Sequence, residues 1–312
     1  MGTPQAAVPT LQRCLEDGHD VVAVWTQPDR PSGRGHRVSF SPVKEFAVAH
    51  GLPVYQPAKI KNDEALQAFA SHDADVAVVV AYGRILPNQF LQTPRRGCIN
   101  VHFSLLPSYR GAAPANWAIV NGESETGVTT MFIEPKLDTG PILLQRKTPI
   151  EASETAPELM DRLAEIGAEL LGETLSRLDQ LTPQPQRDQD ATFAPILKKE
   201  DGLIDWSRSA SEIERMVRGF QPWPNAYTYF YSIGLTGSEP RGVTLWQAQA
   251  LERSDYMSTP GAVIRAQSGD LIVNCGQQTA LRLLEVQPEA RKRMHVRDFM
   301  NGVRVKIGDR FA

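Results

Sequence analysis

Two short runs of β-branched and small apolar residues constrain the fold of this 312-residue chain most strongly. They lie at residues 20–25 and 75–82, and the second is almost unbroken. A strand that is apolar along its whole length is typical of a parallel sheet with both faces covered. We therefore expect parallel strands at these positions, and further strands at residues 98–102 and 127–133.

Helix signals alternate with these strands. Ser41 followed by Pro42 is typical of an N-cap and a first helical residue, and Gly51 is typical of a helix end. Apolar residues at helical spacing within residues 155–178 predict a helix that packs on the sheet. The alternation predicts an α/β fold with a Rossmann-like, doubly wound and mostly parallel sheet.

The apolar period changes in the last third of the chain. Ser209 and Glu212 form a capping-box pattern, which predicts one more helix. Short runs that alternate with polar residues follow, and a tight-turn sequence at residues 268–270 separates two of them. A small, OB-like antiparallel β-barrel is the simplest structure for this pattern.

The best linker candidate is the polar, proline-punctuated segment at residues 182–186. We therefore predict a catalytic domain over residues 1–181, a linker over 182–205 and a barrel domain over 206–312. Residues 206–312 carry 14 basic and 10 acidic side chains, whereas residues 1–205 carry 19 and 26. This mildly cationic barrel fits either a polyanion partner or an ordinary solvated surface.

Composition narrows the class of protein. Hydrophobic residues make up 41% of the chain, and no apolar run approaches the roughly 20 residues of a membrane helix. No basic and apolar leader follows Met1, so we expect a cytoplasmic protein with no membrane partner. Cys14, Cys98 and Cys275 are odd in number and far apart, which predicts reduced thiols rather than disulfides or a close-set metal motif.

The densest motif is NVHFSLLPSYRGAAP at residues 100–114, where a buried strand runs into an irregular loop. Alternate residues of a strand face the same side, so Asn100 and His102 can converge on one substrate atom. Ligands bind at the carboxyl ends of strands in open α/β sheets. A single histidine at a strand end can equally be a packed or surface residue.

The second motif is LDTGP at residues 137–141. Asp138 can simply bond its own backbone in a turn. Asp-Thr-Gly is also the motif of aspartic proteases, but those enzymes pair two such carboxylates in all-β folds. A single copy inside an α/β pattern argues against a protease.

These two motifs together resemble those of the folate-dependent formyltransferases. The resemblance covers nearly the whole chain, through TQPDRPSGRG at residues 26–35, SPVK at 41–44, IDW at 204–206 and FQPWP at 220–224. It implies a formyltransferase domain followed by a C-terminal barrel. It also implies 10-formyltetrahydrofolate as donor and the amine of methionyl initiator tRNA as acceptor, in a monomeric enzyme of translation initiation.

The resemblance implies catalytic roles for Asn100, His102 and Asp138. The amide and the imidazole stabilise the oxyanion that forms when an amine attacks the formyl carbon. The carboxylate orients His102 or helps to remove the proton of the attacking amine. This chemistry requires neither a covalent enzyme intermediate nor a metal.

The resemblance also assigns the co-substrate and tRNA contacts. The resemblance assigns folate binding to the loop of Ser104, Leu105, Leu106 and Pro107, whose two leucines suit flat pterin and aryl groups. It adds Tyr82 and Gly83, in a turn that borders the same pocket. The tRNA acceptor end falls on a cationic segment without acidic residues: Arg30, Arg34, Arg37 and Lys44. A second cationic run, Arg291, Lys292 and Arg293, is either a tRNA contact or a solvated surface.

One feature departs from the family. Its members begin with an apolar strand before the sequence that stands here as Gly2-Thr3-Pro4, and this chain has only Met1 there. The first strand of a doubly wound sheet is central, and its loss leaves unpaired backbone groups in the interior. We therefore expect that the assigned start is too late or that the chain is truncated.

Three other functions are weighed against this one. An enzyme of the same architecture acting on an amino-sugar nucleotide or on water shares the same catalytic residues. A non-catalytic RNA-binding protein would lack a coherent catalytic set. A dinucleotide oxidoreductase would have Gly-x-Gly-x-x-Gly after its first strand, and no such motif occurs here.

Overall fold

The computed structural model describes residues 1–32, 37–233, 240–252 and 258–312. The chain divides into two compact units. The first comprises Met1–Pro114, Glu125–Pro149 and Leu159–Pro195, and the second comprises Ala115–Ser124, Ile150–Glu158 and Ile196–Ala312. Residues 182–205 are thus divided between the units, and the domain boundaries given by the sequence patterns stay a prediction.

The α-helices are α1 (Val8–Glu16), α2 (Pro42–Ala49), α3 (Asp63–Ala70), α4 (Asn88–Gln92), α5 (Pro114–Asn121), α6 (Ala156–Ser176), α7 (Ala210–Gly219) and α8 (Val296–Val303). Short 3-10 turns lie at Gln5–Ala7, Asp188–Asp190 and Lys199–Gly202. The predicted α2 is confirmed, since the Ser41 hydroxyl accepts a hydrogen bond from Lys44 N at 3.2 Å. The capping box of Ser209 and Glu212 begins α7, and α6 matches the predicted long helix.

The strands of the first unit are β1 (Val24–Trp25), β2 (Arg30–Ser32), β3 (Arg37–Ser39), β4 (Val54–Tyr55), β5 (Ala77–Val79), β6 (Cys98–His102), β7 (Arg110–Gly111), β8 (Glu125–Phe132), β9 (Ile142–Pro149) and β10 (Phe193–Ala194). β1 is shorter than predicted. Its residue Val24 donates to the carbonyl of Pro53, which has no N–H to continue the ladder.

The sheet of the first unit is mixed. β1 pairs with β4 in parallel, and β5 pairs with β6 in parallel. β8 and β9 continue the second ladder in antiparallel orientation, in the order β5-β6-β8-β9. The loop that joins β8 to β9 carries Asp138, and the end of β6 carries His102.

Met1 and Gly2 lie between β1 and β5. Gly2 N donates to the Trp25 carbonyl at 3.0 Å, and Val80 N donates to the Met1 carbonyl at 2.8 Å. These two residues therefore join the two parallel ladders, at the place where the family resemblance implies a first strand. A cavity of about 690 Å³ beside them is lined by α1, β1 and β5, and none of the predicted site residues lines it.

The strands of the second unit are β11 (Ala226–Tyr231), β12 (Arg241–Leu251), β13 (Val263–Gln267), β14 (Asp270–Asn274), β15 (Ala280–Pro288), β16 (Met294–His295) and β17 (Arg310–Phe311). The predicted antiparallel barrel is present, in the order β13-β14-β15-β12-β11-β17. A bridge between Ala262 and Arg310 links its two outer strands. The tight turn predicted at residues 268–270 is present between β13 and β14, where Ser268 and Gly269, with φ of 55° and 83°, are its two central residues.

No helix in the described ranges is both long enough and apolar enough to cross a membrane.

The three cysteines are free, as predicted, and all three are buried. Burial raises the pKa of the Cys98 thiol to about 12 and that of Cys14 to about 11. Both thiols are therefore protonated at neutral pH and are poor nucleophiles.

Candidate active site

The candidate site lies at the carboxyl end of β6, whose bounds match the predicted strand. β6 is flanked by β5 and β8, so that Asn100 is paired with Val79 and Met131. Asn100 and His102 share one face because they are two residues apart. Within the described residues the Asn100 side chain makes no hydrogen bond, which leaves its amide available to a ligand.

His102 is buried, with 6% of its side chain exposed. Its Nε2 lies 2.9 Å from the Tyr109 carbonyl oxygen, and its Nδ1 lies 3.8 Å from Asp138 Oδ2. A carbonyl can only accept, so Nε2 carries a proton in this contact. The Nδ1 separation is too long for a direct hydrogen bond but keeps the carboxylate beside the imidazole.

Asp138 is held by the backbone of the loop that follows His102. Its Oδ2 accepts a hydrogen bond from Gly111 N at 2.8 Å, and 10% of its side chain is exposed. Its φ of 51° lies in the left-handed region, which is uncommon for residues other than glycine. The carboxylate thus bonds a distant backbone N–H across the site.

The loop of residues 104–107 is anchored by Thr129 on β8. Thr129 Oγ1 donates to the Ser104 carbonyl at 2.7 Å and accepts from Leu106 N at 3.1 Å. Gln145 Nε2 on β9 reaches both Thr129 Oγ1 and the Leu106 carbonyl, at 2.9 and 2.8 Å. Sequence reasoning missed Thr129 and Gln145, because they follow the loop of residues 104–107 by more than twenty positions and carry no pattern of their own.

The other predicted folate contacts, Tyr82 and Gly83, follow β5. The Tyr82 ring packs in a cluster with Trp25 and Phe90 and is 2% exposed. Its buried hydroxyl has no hydrogen-bond partner among the described residues, and burial raises its pKa. Gly83 has a φ of 81°, a conformation that favours glycine.

The structure describes only part of the predicted cationic segment, because Arg34 lies outside the described residues. The backbone places Arg30 and Arg37 on the two strands of the β2–β3 hairpin. Lys44 forms an ion pair with Asp29, and its ammonium lies 3.9 Å from the centroid of the Phe40 ring. The hydrogen bond from Lys44, with a second from Gln56, lowers the pKa of Asp29, so the charge of Lys44 is offset.

The second cationic run follows β15 in the second unit. Arg293 is paired with Glu285, and its guanidinium lies 5.0 Å from the centroid of the Trp246 ring. Arg291 and Lys292 are exposed and have no ion pair within the parts of the chain that the structure describes. Among the described residues, two of the three cations therefore have no acidic partner.

Two further residues, Arg110 and Gln186, make hydrogen bonds beside the candidate catalytic residues. Arg110 is 4% exposed, and its Nη1 lies 2.8 Å from Asp188 Oδ1. Its Nε and Nη2 donate to Gln186 Oε1 at 3.1 and 2.9 Å. Arg110 lies within the motif noted in the sequence, but Gln186 lies in the predicted linker, where no sequence signal marks it.

Comparisons with known proteins agree with the fold. Residues 1–175 match the family described as formyl transferase, and residues 196–304 match the formyl transferase C-terminal domain. The methionyl-tRNA formyltransferase of Caldanaerobacter subterraneus is 48% identical over 99% of this chain and 97% of that protein. That of Koribacter versatilis is 51% identical over 100% of this chain and 97% of that protein.

A solved structure resembles the chain at much lower identity. It is the N-formyltransferase from Helicobacter canadensis in complex with folinic acid and dTDP-3-aminofucose, with a TM-score of 0.65 and 17% identity. The likeness covers 90% of this chain and 96% of that one, and it concerns the fold alone.

Proposed function

The chain belongs to the methionyl-tRNA formyltransferase family, and we propose that it transfers the formyl group of 10-formyltetrahydrofolate to the free amino group of methionyl initiator tRNA. The observation that carries this proposal is the similarity to methionyl-tRNA formyltransferases along nearly the whole length of both chains. The product, N-formylmethionyl-tRNA, serves translation initiation. We place the reaction in the cytoplasm.

The proposed reaction forms one bond and breaks another. The neutral methionyl amine attacks the formyl carbon, the formyl oxygen becomes an oxyanion, and the bond to the folate nitrogen then breaks. The proton lost by the amine ends on the folate nitrogen. The protein therefore has to stabilise one negative charge and move one proton.

Asn100 and His102 are the proposed oxyanion stabilisers. The support for Asn100 is its amide, which has no partner within the described residues and shares a face with His102. The Nε2 proton of His102 is directed at the Tyr109 carbonyl, and we propose that it turns to the formyl oxygen in the transition state. Hydrogen-bond donors directed at a developing oxyanion often supply the largest share of a rate enhancement.

Asp138 is the proposed proton acceptor and the partner of His102. The support is its carboxylate, which lies 3.8 Å from Nδ1 and is fixed by Gly111 N. A carboxylate so placed can stabilise an imidazolium and receive the proton of the attacking amine. It can then return that proton to the leaving folate nitrogen.

The proposed substrate contacts fall on two sets of residues, one for the folate and one for the tRNA. The folate co-substrate is assigned to residues 104–107 with Tyr82 and Gly83, where the anchoring by Thr129 gives a preformed loop. The tRNA is assigned to the cationic residues of the 30–44 segment and to residues 291–293. Because phosphate contacts release counterions, binding should weaken as salt rises. The enzyme is proposed to act as a monomer.

A substrate comparison tests the proposal. The purified protein with 10-formyltetrahydrofolate is offered methionyl initiator tRNA, a dTDP-linked amino sugar or water alone. We expect formylation of the tRNA and a far slower reaction in the other two arms. Rapid turnover of the amino sugar with none on tRNA would refute the proposed function.

A further inference from the structure

Gln186 connects the two segments that hold the candidate catalytic residues. Its Nε2 donates to the carbonyl oxygens of Asp138 and Gly140, at 3.0 and 2.7 Å. Its Oε1 accepts from Nε and Nη2 of Arg110, at 3.1 and 2.9 Å. One amide therefore joins the Asp138 loop to the loop that follows β6.

The polarity of this connection is fixed. Both amide hydrogens point at carbonyl oxygens, which can only accept, and the amide oxygen points at a guanidinium, which can only donate. A rotated amide would set its oxygen against the carbonyls of Asp138 and Gly140. The neighbours of Gln186 thus require an amide rather than a carboxylate at this position.

Arg110 lies between the two backbone groups that hold the catalytic side chains. Tyr109, before it, provides the carbonyl that bonds His102 Nε2, and Gly111, after it, provides the N–H that bonds Asp138 Oδ2. The Arg110 side chain is buried and held by Asp188 and Gln186. A shift of Arg110 would therefore change both catalytic contacts together.

Asp138 needs such external support. Its φ of 51° is unfavourable for a residue with a side chain, and strained residues persist where surrounding contacts hold them. A Cβ on Gly140 would collide with the Phe132 carbonyl, which shows how closely the loop packs on β8. The two hydrogen bonds from Gln186 bind this loop at the carbonyls before and after Thr139.

We propose that Gln186 is a positioning residue for formyl transfer. It holds the backbone at Asp138 and Gly140, and through Arg110 the backbone at Tyr109 and Gly111, so that the carboxylate faces His102. This inference rests on the proposed function. Gln186 acts through Asp138 and His102, so its loss slows the chemical step more than it weakens substrate binding.

The isosteric change Gln186→Glu tests the inference. The carboxylate keeps an acceptor for Arg110 but turns its other oxygen toward the carbonyls of Asp138 and Gly140. Gln184→Glu is the matched control, since it makes the same charge change two residues away, at an exposed side chain that bonds the Thr182 carbonyl. Steady-state kinetics are measured for all three proteins with methionyl initiator tRNA and 10-formyltetrahydrofolate.

We expect Gln186→Glu to lower kcat by about 10²-fold, as small displacements of catalytic groups can do. The KM values for both substrates should stay within about threefold, the signature of an interaction that matters in the transition state. Gln184→Glu should match the parent protein. A crystal structure of Gln186→Glu should show His102 Nδ1 and Asp138 Oδ2 farther apart than 3.8 Å.

A kcat for Gln186→Glu close to that of the parent protein would overturn the inference, as would a rise in KM with kcat unchanged. Gln186→Met serves as a second variant in case the glutamate variant does not fold. Methionine is about as long as glutamine and adds no charge. This variant should also show a lower kcat with nearly unchanged KM values. A kcat equal to that of the parent protein would refute the inference. Lack of formyl transfer in the parent protein would instead refute the proposed function.

Discussion

The candidate catalytic cluster and the predicted tRNA contacts both consist of polar side chains, but their surroundings differ. His102 is buried, Asp138 is largely buried with 10% of its side chain exposed, and each is held by a backbone group of the same loop. Lys44 and Arg293 are paired with acids, whereas Lys292 is exposed and unpaired among the described residues. Buried groups held by backbone depend on exact placement for their function. Surface cations act through the net charge that is left after pairing.

The largest effect is expected for His102→Ala, which tests whether the buried cluster is catalytic. We expect kcat to fall by about 10³-fold, because both the oxyanion donor and the partner of Asp138 are lost. Formylation kinetics with methionyl initiator tRNA measure the effect, and Cys98→Ala, on the same strand, is the control. Full activity of the His102→Ala protein would show that this cluster is not catalytic.

Asp138→Asn separates charge from placement. Asparagine can still accept the hydrogen bond from Gly111 N but has no negative charge beside His102. We expect kcat to fall by about 10²-fold, within the range typical of proton-transfer groups. Binding of 10-formyltetrahydrofolate, measured by calorimetry, should change little. Unaltered kcat would mean that the carboxylate has only a structural role.

Thr129→Val tests whether the loop of residues 104–107 depends on its buried anchor. The change leaves Leu106 N and the Ser104 carbonyl without their partner, which should lower the free energy of unfolding by about 1–3 kcal/mol. The KM for the folate co-substrate should rise. Thr244→Val, at a half-buried position on β12, should change neither quantity. Equal stability of the two variants in urea unfolding would contradict the proposed anchor.

Lys292→Gln and Arg293→Gln test whether surface cations contribute to tRNA binding according to the charge that is left after pairing. Each phosphate contact contributes about 0.7 to 0.9 to the slope of log affinity against log salt concentration. We expect Lys292→Gln to reduce this slope for tRNA binding and Arg293→Gln to reduce it less, since Glu285 already offsets that charge. Filter binding over a salt series measures both. Identical slopes in the two variants and the parent would exclude this run from the tRNA interface.

The smallest effect is expected at Cys98, which shares β6 with His102. Burial raises the pKa of its thiol to about 12, so at pH 8 almost none is thiolate. The native protein should therefore resist alkylation at Cys98, and the unfolded protein should react readily. Mass spectrometry of the modified peptide measures this. Rapid alkylation of native Cys98 at pH 8 would place a reactive thiol next to the candidate site.

Features that depend on local chemistry were predictable from sequence. β6, the cap of α2, the capping box of α7 and the Ser268–Gly269 turn were all predicted, because each is specified by residues within a few positions of one another. The antiparallel course of β8 and β9 was not predicted. Strand direction depends on which neighbours pair, and a single run of apolar residues does not contain that information.

The same division applies to the site. The sequence by itself determined that Asn100 and His102 share a face, since strand geometry sets that relation, and its motifs named Asp138 as a candidate. Only the tertiary structure decided that Asp138 bonds Gly111, that Gln186 joins the two loops, and that Glu285 offsets Arg293. These contacts join residues that are 27, 48 and 8 positions apart along the chain. They exist only after the backbone has folded, because hydrogen bonds and ion pairs require atoms within a few ångströms of each other.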